Sequence, residues 1–160
     1  MVFLTRRYRF SSSHRLHNDA LTEEENARLY GKCNNPFGHG HNYALEVTVG
    51  GPVEPATGMV MNLENLDLAV EEEVLAPFDQ VNLNLDVPHF RSVVPTTENL
   101  CLEIFRRLGR RLRQAPEDPS RLERIRLEET SSNFFEVVRN PETPPGQEEP
   151  ESESAWRIGR

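Results

Sequence analysis

Three histidines have the residue type and the spacing needed to hold one metal ion. His39 and His41 lie two residues apart, and on a β-strand such a pair projects from one face because side chains alternate. His14 lies in a second alternating segment, which would add a third imidazole if the two strands are neighbours. Three histidines with one open position form the donor set of a catalytic zinc site. A histidine pair at this spacing also occurs in ordinary strand packing, so the spacing alone leaves both interpretations open.

Three other side chains are candidates for acid–base or binding roles. Cys33 lies six residues before His39, separated from it by an Asn-Asn-Pro turn, where a thiol could act as a nucleophile or a base. Glu129 falls on the apolar face of its strand, where an unpaired carboxylate costs folding free energy. It either ends the strand in solvent or anchors a ligand that presents N–H donors. Asp79 is either a turn residue or an orienting carboxylate.

The pattern of apolar residues predicts the elements that position these side chains. Alternation predicts strands over residues 2–15 and 39–49 and a hairpin formed by residues 121–129 and 134–139. Helical spacing predicts one helix that starts near Leu63 and is closed by Pro77, and a second that begins at Thr96 or Thr97. Residues 18–36 are interpreted as a loop. The order β-β-α-α-β-β predicts an α+β domain, in which a four-stranded antiparallel sheet carries both helices on one face.

Composition sets the domain boundaries and excludes several classes of function. Residues 1–140 are predicted to form one domain, and residues 141–160 a disordered tail rich in acidic residues, proline and serine. A formal net charge of −8 argues against a nucleic-acid partner. The chain has no apolar run long enough to span a membrane and no disulfide framework, since it contains only two cysteines. It has no signal-type N-terminus either, so a cytoplasmic location is expected.

Several runs of sequence resemble the 6-pyruvoyltetrahydropterin synthase family. The resemblance extends from about residue 8 to residue 139 in unbroken order, and the segment from Cys33 to the histidine pair is the most specific part. The runs that carry it are residues 10–16 (FSSSHRL), 31–43 (GKCNNPFGHGHNY), 55–62 (PATGMVMN), 82–88 (NLNLDVP) and 96–99 (TTEN).

The resemblance implies a fold, an assembly and a reaction. The fold would be the tunnelling fold, in which subunits join their sheets into a barrel and two trimers stack into a homohexamer. The reaction would convert 7,8-dihydroneopterin triphosphate into 6-pyruvoyltetrahydropterin and triphosphate, on the route to tetrahydrobiopterin. Such an enzyme is a carbon–oxygen lyase acting on a phosphate, and its cofactor is Zn²⁺.

The resemblance also assigns roles to individual residues. By this comparison the Zn²⁺ ligands are His14, His39 and His41. Cys33 would accept the proton, with Asp79 as a second catalytic group, and Glu129 would hold the pterin ring. Thr96 and Thr97 match the segment that contacts the pterin in the family.

One position departs from the family pattern. The family has a histidine after the aspartate at position 79, whereas this chain has Gln80, which cannot titrate. Two alternatives to an active synthase stay open, and Gln80 supports the first of them. One is a weakened or inactive paralogue that still binds pterin. The other is the related carboxytetrahydropterin synthase of the queuosine pathway, although the runs at 31–36 and 96–98 favour the biopterin enzyme.

Overall fold

A computed structural model describes residues 1–114 and 119–140 of the chain. The tail that the sequence predicts at 141–160 lies outside the described residues, and so does the short segment 115–118.

The centre of the fold is a five-stranded mixed sheet with the strand order β3-β1-β2-β4-β5. Its strands are β1 (Val2–His14), β2 (His39–Gly51), β3 (Val81–Asn82), β4 (Arg121–Thr130) and β5 (Asn133–Val138). Four of them pair antiparallel, as predicted, but β3 runs parallel to β1. The predicted four-stranded antiparallel sheet is therefore wrong by one strand. A two-residue strand is too short to show any alternation in sequence.

Two long helical segments match the predicted helices. The first begins as α2 (Leu63–Val70), continues through a π-helical turn (Glu71–Leu75) and ends with the short α3 (Ala76–Phe78). The second, α5 (Thr97–Leu112), begins after Thr96, whose hydroxyl accepts a hydrogen bond from the backbone N–H of Asn99. Both segments pack on the sheet face that carries the apolar residues of β2 and β4, which confirms their predicted placement.

The prediction of a loop over residues 18–36 is wrong over residues 23–34. Residues Glu23–Tyr30 form α1, which begins with a capping box between Thr22 and Glu25, and residues Gly31–Asn34 continue it as a 3-10 turn. Only Asn26 of α1 is buried, so the helix has no apolar stripe to reveal it. A four-residue helix, α4 (Leu83–Asp86), and a second 3-10 turn (Pro88–Arg91) were also not predicted.

The buried core packs against β1 and β2, the two longest strands, close to the ends that carry the histidines. Phe10 on β1 stacks on Tyr43 on β2, and large apolar side chains of α2 and α5 are completely buried against the same face. Each such side chain contributes roughly 1.5–3 kcal/mol through burial. On β1, the alternating residues Phe10, Ser12 and His14 are all buried and share one face of the strand. The histidines at the ends of β1 and β2 are therefore carried by strands that pack directly against the core.

Candidate metal centre and active site

The register of β1 against β2 brings the three histidines together. His14 ends β1 directly opposite His39, which begins β2, and His41 lies opposite Ser12. The Nε2 atoms of His14 and His39 are 3.1 Å apart, and one nitrogen from each of the three rings lies within 4.8 Å of the others. The group could hold a metal ion. The strands that carry His14 and the histidine pair are therefore neighbours, which the sequence alone left as a condition.

The hydrogen bonds of His14 leave its second nitrogen available to a metal. His14 is 1% exposed, and its Nδ1 lies 2.7 Å from the carbonyl oxygen of Pro95. A carbonyl only accepts, so Nδ1 carries the proton, and Nε2 keeps its lone pair directed toward the other rings. Burial, the largest cause, lowers the pKa of His14 and also that of His39. Both imidazoles are therefore held neutral, the form that binds a metal.

A polar atom without a partner supports the fit of a cation at this place. Nε2 of His41 is buried and has no hydrogen-bond partner in the part of the chain that the structure describes. It lies 3.6 Å from Oε1 of Glu129. A buried polar nitrogen left unpaired costs free energy, and a metal ion bound between the three rings would satisfy it. The donor set of three imidazoles with a nearby carboxylate suits such an ion.

Glu129 lies beside the histidines rather than in solvent. It belongs to β4, and its side chain is only 16% exposed. Oε1 accepts a hydrogen bond from the Thr97 hydroxyl at 2.5 Å, and Oε2 accepts one from Nδ2 of Asn133 at 2.9 Å. Burial is the largest single influence and opposes ionisation, but these two hydrogen bonds and the nearby His41 and His14 together lower the pKa of Glu129 from its ordinary value. The carboxylate is therefore ionised and held in one orientation.

The two threonines at the start of α5 have different structural roles. Thr96 is the N-cap of the helix, and its hydroxyl accepts the hydrogen bond from Asn99. Thr97 is buried, and its hydroxyl donates to Glu129. Thr97 is therefore connected directly to the acidic group, whereas Thr96 positions the helix that carries Thr97.

The turn that contains Cys33 is tied to the end of β1. Cys33 is half-buried with a free thiol, and its carbonyl oxygen accepts a hydrogen bond from the backbone N–H of Leu16, two residues after His14. The turn continues to Gly38, which has a φ of +69° and leaves no room for a side chain, because a Cβ there would lie 2.8 Å from the His14 carbonyl oxygen. The backbone between Cys33 and His39 is therefore tightly constrained.

Asp79 and Gln80 directly precede β3, the edge strand that pairs with β1. Oδ1 of Asp79 accepts a hydrogen bond from the backbone N–H of Ser11 at 2.8 Å and lies 3.4 Å from Nε2 of Gln80. Gln80 is exposed, with a φ of +59°, and its backbone N–H donates to the carbonyl of Ser11 at 2.7 Å. The contacts of Asp79 therefore go to the backbone of β1 and to Gln80 rather than to the histidines.

Sequence reasoning missed two groups that shape the site. The carbonyl of Pro95 fixes the ring of His14, and the side-chain amide of Asn133 holds Glu129. A backbone carbonyl carries no residue-type signal, and Asn133 reads as an ordinary turn residue. Both contacts form only in the folded protein, where Pro95 lies against His14 at the end of β1 and Asn133 lies against Glu129 on β4.

The class that the fold and the site define is an α+β domain in which three convergent histidines on a mixed sheet could hold a metal ion beside an oriented carboxylate. A family model described as 6-pyruvoyl tetrahydropterin synthase matches residues 3–140. The chain therefore belongs to the 6-pyruvoyl tetrahydropterin synthase family, as the motifs predicted.

Individual relatives agree with this assignment. A 6-pyruvoyl tetrahydrobiopterin synthase of Poecilia reticulata is 49% identical over 133 residues, which cover 82% of this chain and 86% of the relative. The enzyme of the same name from Homo sapiens is 55% identical over 102 residues, covering 64% and 70%. The solved structure of Caenorhabditis elegans 6-pyruvoyl tetrahydropterin synthase superposes with a TM-score of 0.80 at 37% identity, covering 87% of this chain and 96% of that one. Among the described residues, no helix is long and apolar enough to cross a membrane.

Proposed function

We propose that the chain is a zinc-dependent 6-pyruvoyltetrahydropterin synthase, a lyase that converts 7,8-dihydroneopterin triphosphate into 6-pyruvoyltetrahydropterin and triphosphate in tetrahydrobiopterin biosynthesis. The observation that carries the proposal is the meeting of the three-histidine group with Glu129, 3.6 Å from His41, within a domain that matches this family from residue 3 to residue 140. Two relatives with this name are 49% and 55% identical to the chain in sequence, and this similarity supports the same activity.

The choice of Zn²⁺ follows from the donors. His14, His39 and His41 offer three neutral imidazoles without a competing thiolate among them, which suits a zinc ion with one open position. A zinc ion held there would act as a Lewis acid toward side-chain oxygens of the substrate and acidify the adjacent C–H bonds. The hydrogen bond from His14 to Pro95 keeps the ring oriented for this task.

Glu129 would recognise the pterin ring. A pterin presents its 2-amino group and a ring N–H on one edge, so an ionised carboxylate can accept both hydrogen bonds at once. Thr97 and Asn133 already hold the carboxylate ionised and in place. Little reorganisation is then needed when the ring binds, and the substrate side chain would be directed toward the histidines.

Cys33 would accept the proton that leaves the substrate side chain. A thiolate is a good base and nucleophile, and a backbone hydrogen bond from Leu16 ties residue 33 to the segment after β1, which supports this role. Asp79 would assist proton transfer as a second acidic group. Triphosphate leaves with the electrons of the broken C–O bond.

Gln80 supports a second candidate, a paralogue that binds pterin with little or no turnover. The side chain that lies beside Asp79 is an amide, which can donate and accept hydrogen bonds but cannot carry a proton. The free thiol of Cys33 favours the active enzyme, because a protein that only binds has no need of it. The carboxytetrahydropterin synthase reaction would differ in its product.

The family assembly and a cytoplasmic location complete the proposal. β3 and β5 are the edges of the sheet, so their outer backbone groups are available for pairing with strands of other subunits. This arrangement is compatible with a homohexamer made of two trimers. Sedimentation of the purified chain measures the mass of the assembly directly.

The test is an assay of the purified, zinc-loaded chain with 7,8-dihydroneopterin triphosphate, followed by identification of the product. Formation of 6-pyruvoyltetrahydropterin with release of one triphosphate, abolished in Cys33→Ala, supports the synthase. A carboxytetrahydropterin product would assign the queuosine-pathway reaction instead. Binding of the substrate without any product would favour the binding paralogue.

A further inference from the structure

The buried carboxylate of Glu103 on α5 is not one of the groups of the proposed active site. Its side chain is 1% exposed, so its charge must be compensated inside the protein. Arg106 donates two hydrogen bonds to it at 2.8 Å, and Nε of Arg107 donates a third at 2.7 Å. Burial is the largest single influence on the pKa of Glu103 and opposes ionisation, but these hydrogen bonds and the nearby His89 together lower it. The carboxylate is therefore ionised and holds its partners in place.

Arg107 connects this carboxylate to Phe78. The guanidinium carbon of Arg107 lies 5.0 Å from the centre of the Phe78 ring, which is a cation–π contact. Phe78 is completely buried and the side chain of Arg107 is only 20% exposed, so solvent screens the contact weakly. The hydrogen bond from Nε of Arg107 to Glu103 holds the guanidinium over the ring. Phe78 is therefore supported from α5 by a charged group that is itself fixed.

A second set of contacts leads from Glu103 to the same ring. Nδ1 of His89 lies 3.8 Å from Oε2 of Glu103, and the His89 ring stands edge-on to Phe90 with 5.0 Å between ring centres. Phe90 packs against Phe78 with 6.5 Å between ring centres. The contacts through α5 and those through the 3-10 turn Pro88–Arg91 therefore meet at Phe78.

Phe78 directly precedes Asp79, and both residues are attached to β1. The carbonyl of Phe78 accepts a hydrogen bond from the Ser12 hydroxyl. Oδ1 of Asp79 accepts one from the backbone N–H of Ser11 at 2.8 Å. The ring of Phe78 attaches the same segment to α5 through Arg107. The position of the Asp79 carboxylate therefore depends on the attachment to α5 as well as on the hydrogen bonds to β1.

We propose that Arg107, held by the buried Glu103, is a positioning residue that fixes the Asp79 carboxylate through the ring of Phe78. The inference rests on the proposed function, in which Asp79 assists proton transfer. A group that transfers a proton must lie within hydrogen-bond reach of the atom it serves, and a displacement of about 1 Å can cost on the order of a hundredfold in rate. Because Arg107 acts through Phe78 and not on the substrate, its loss should lower kcat and leave KM unchanged.

The experiment uses variants of the full-length, zinc-loaded chain. Arg107→Ala removes the cation over the Phe78 ring, and Arg107→Lys keeps a cation there. Phe78→Leu keeps an apolar side chain but removes the aromatic face, and a double variant combines this change with Arg107→Ala. Arg111→Ala is the matched control, because this arginine lies one turn further along α5 and binds Glu72 at 2.9 Å.

Two measurements separate positioning from stability. Steady-state kinetics with 7,8-dihydroneopterin triphosphate give kcat and KM. Hydrogen exchange of the Ser11 backbone amide, which donates to the Asp79 carboxylate, reports on the position of that carboxylate without any substrate. Denaturant unfolding of each variant shows how much of any faster exchange comes from global opening.

We expect Arg107→Ala and Phe78→Leu each to lower kcat by about tenfold with KM unchanged, and to speed exchange at Ser11 by a similar factor beyond global opening. Arg107→Lys should recover most of both effects. The double variant should lose less than the product of the two single factors, because both changes remove one contact. Arg111→Ala should keep the parent kcat and show no faster exchange at Ser11 than its change in stability explains.

Three results would overturn the proposal. One is unchanged exchange at Ser11 in Arg107→Ala, and another is a double variant whose effects multiply. The third is faster exchange with the parent kcat in an active enzyme, which would make the contact purely structural. If the parent forms no product, the proposed function is wrong, and the exchange rates alone decide whether Arg107 fixes Asp79.

Discussion

The hydrogen bond from Thr97 to Glu129 is the contact whose removal is most informative. Thr97→Val keeps the shape and the burial of the side chain but removes its hydroxyl, which donates at 2.5 Å to the carboxylate. A hydrogen bond to a charged group contributes about 1.5–3 kcal/mol to stability. Because the side chain of Glu129 is only 16% exposed, we expect most of this amount to be lost from the free energy of unfolding at neutral pH.

The pH dependence of this loss has a defined sign. The pKa of Glu129 is lowered in the folded protein, so its ionisation stabilises the fold above the unfolded-state pKa, and this contribution is lost as the pH falls through the folded-state pKa. Thr97→Val raises that pKa toward its ordinary value, so the variant loses the contribution at a higher pH. The stability difference between parent and variant should therefore be large at pH 7 and shrink in acid.

The assay combines denaturant unfolding at neutral and acidic pH with a binding titration of dihydroneopterin. Thr48→Val is the matched control, because this buried threonine is hydrogen-bonded to the Thr5 hydroxyl at 2.8 Å, away from the site. We expect the control to lose about 1 kcal/mol and no pterin affinity. Thr97→Val should weaken pterin binding by about tenfold. Equal stability losses in both variants, with unchanged pterin affinity, would refute the role given to Thr97.

Four further changes have expected outcomes. Gln80→His should raise turnover about a hundredfold, with KM and zinc content unchanged, and its turnover should depend on pH with an apparent pKa near 6.5. If the parent enzyme is active and Gln80→His has the same turnover, a proton-relay role for this position is contradicted. Elemental analysis of the His41→Ala protein should find a zinc content below one ion per chain. Glu103→Gln should lower the free energy of unfolding by about 2 kcal/mol without loss of zinc, since its carboxylate is 1% exposed but its two arginine partners are partly solvated. Truncation after Asn140 should leave zinc content, assembly and turnover intact, which sedimentation and activity measurements check.

Elements with a strong apolar pattern could be predicted from the sequence, and elements without one could not. The alternation in β1 and β2 and the buried stripe of α5 gave the correct strands, faces and helix. β3 has two residues and no pattern of its own, because it forms where Val81 meets Ser12. The helix α1 escaped prediction because its stability rests on capping rather than on an apolar face.

Some parts of the candidate site could also be predicted from the sequence, and other parts could not. The spacing of His39 and His41 on one strand face follows from backbone geometry, so the pair could be found without a structure. The pairing of His14 with His39 needs the register of two strands that are 24 residues apart in sequence, and this register depends on the whole core. The positions of Asp79 and Gln80 depend on contacts with Ser11, which no local pattern encodes.

The most direct test of the account is a crystal structure of the zinc-loaded chain with dihydroneopterin triphosphate in the Cys33→Ala background, recorded at the zinc absorption edge. The account predicts one anomalous peak at about 2.0–2.1 Å from a nitrogen of each of His14, His39 and His41, with the pterin amino group hydrogen-bonded to Glu129. A zinc peak elsewhere, or a pterin ring bound away from Glu129, would contradict it.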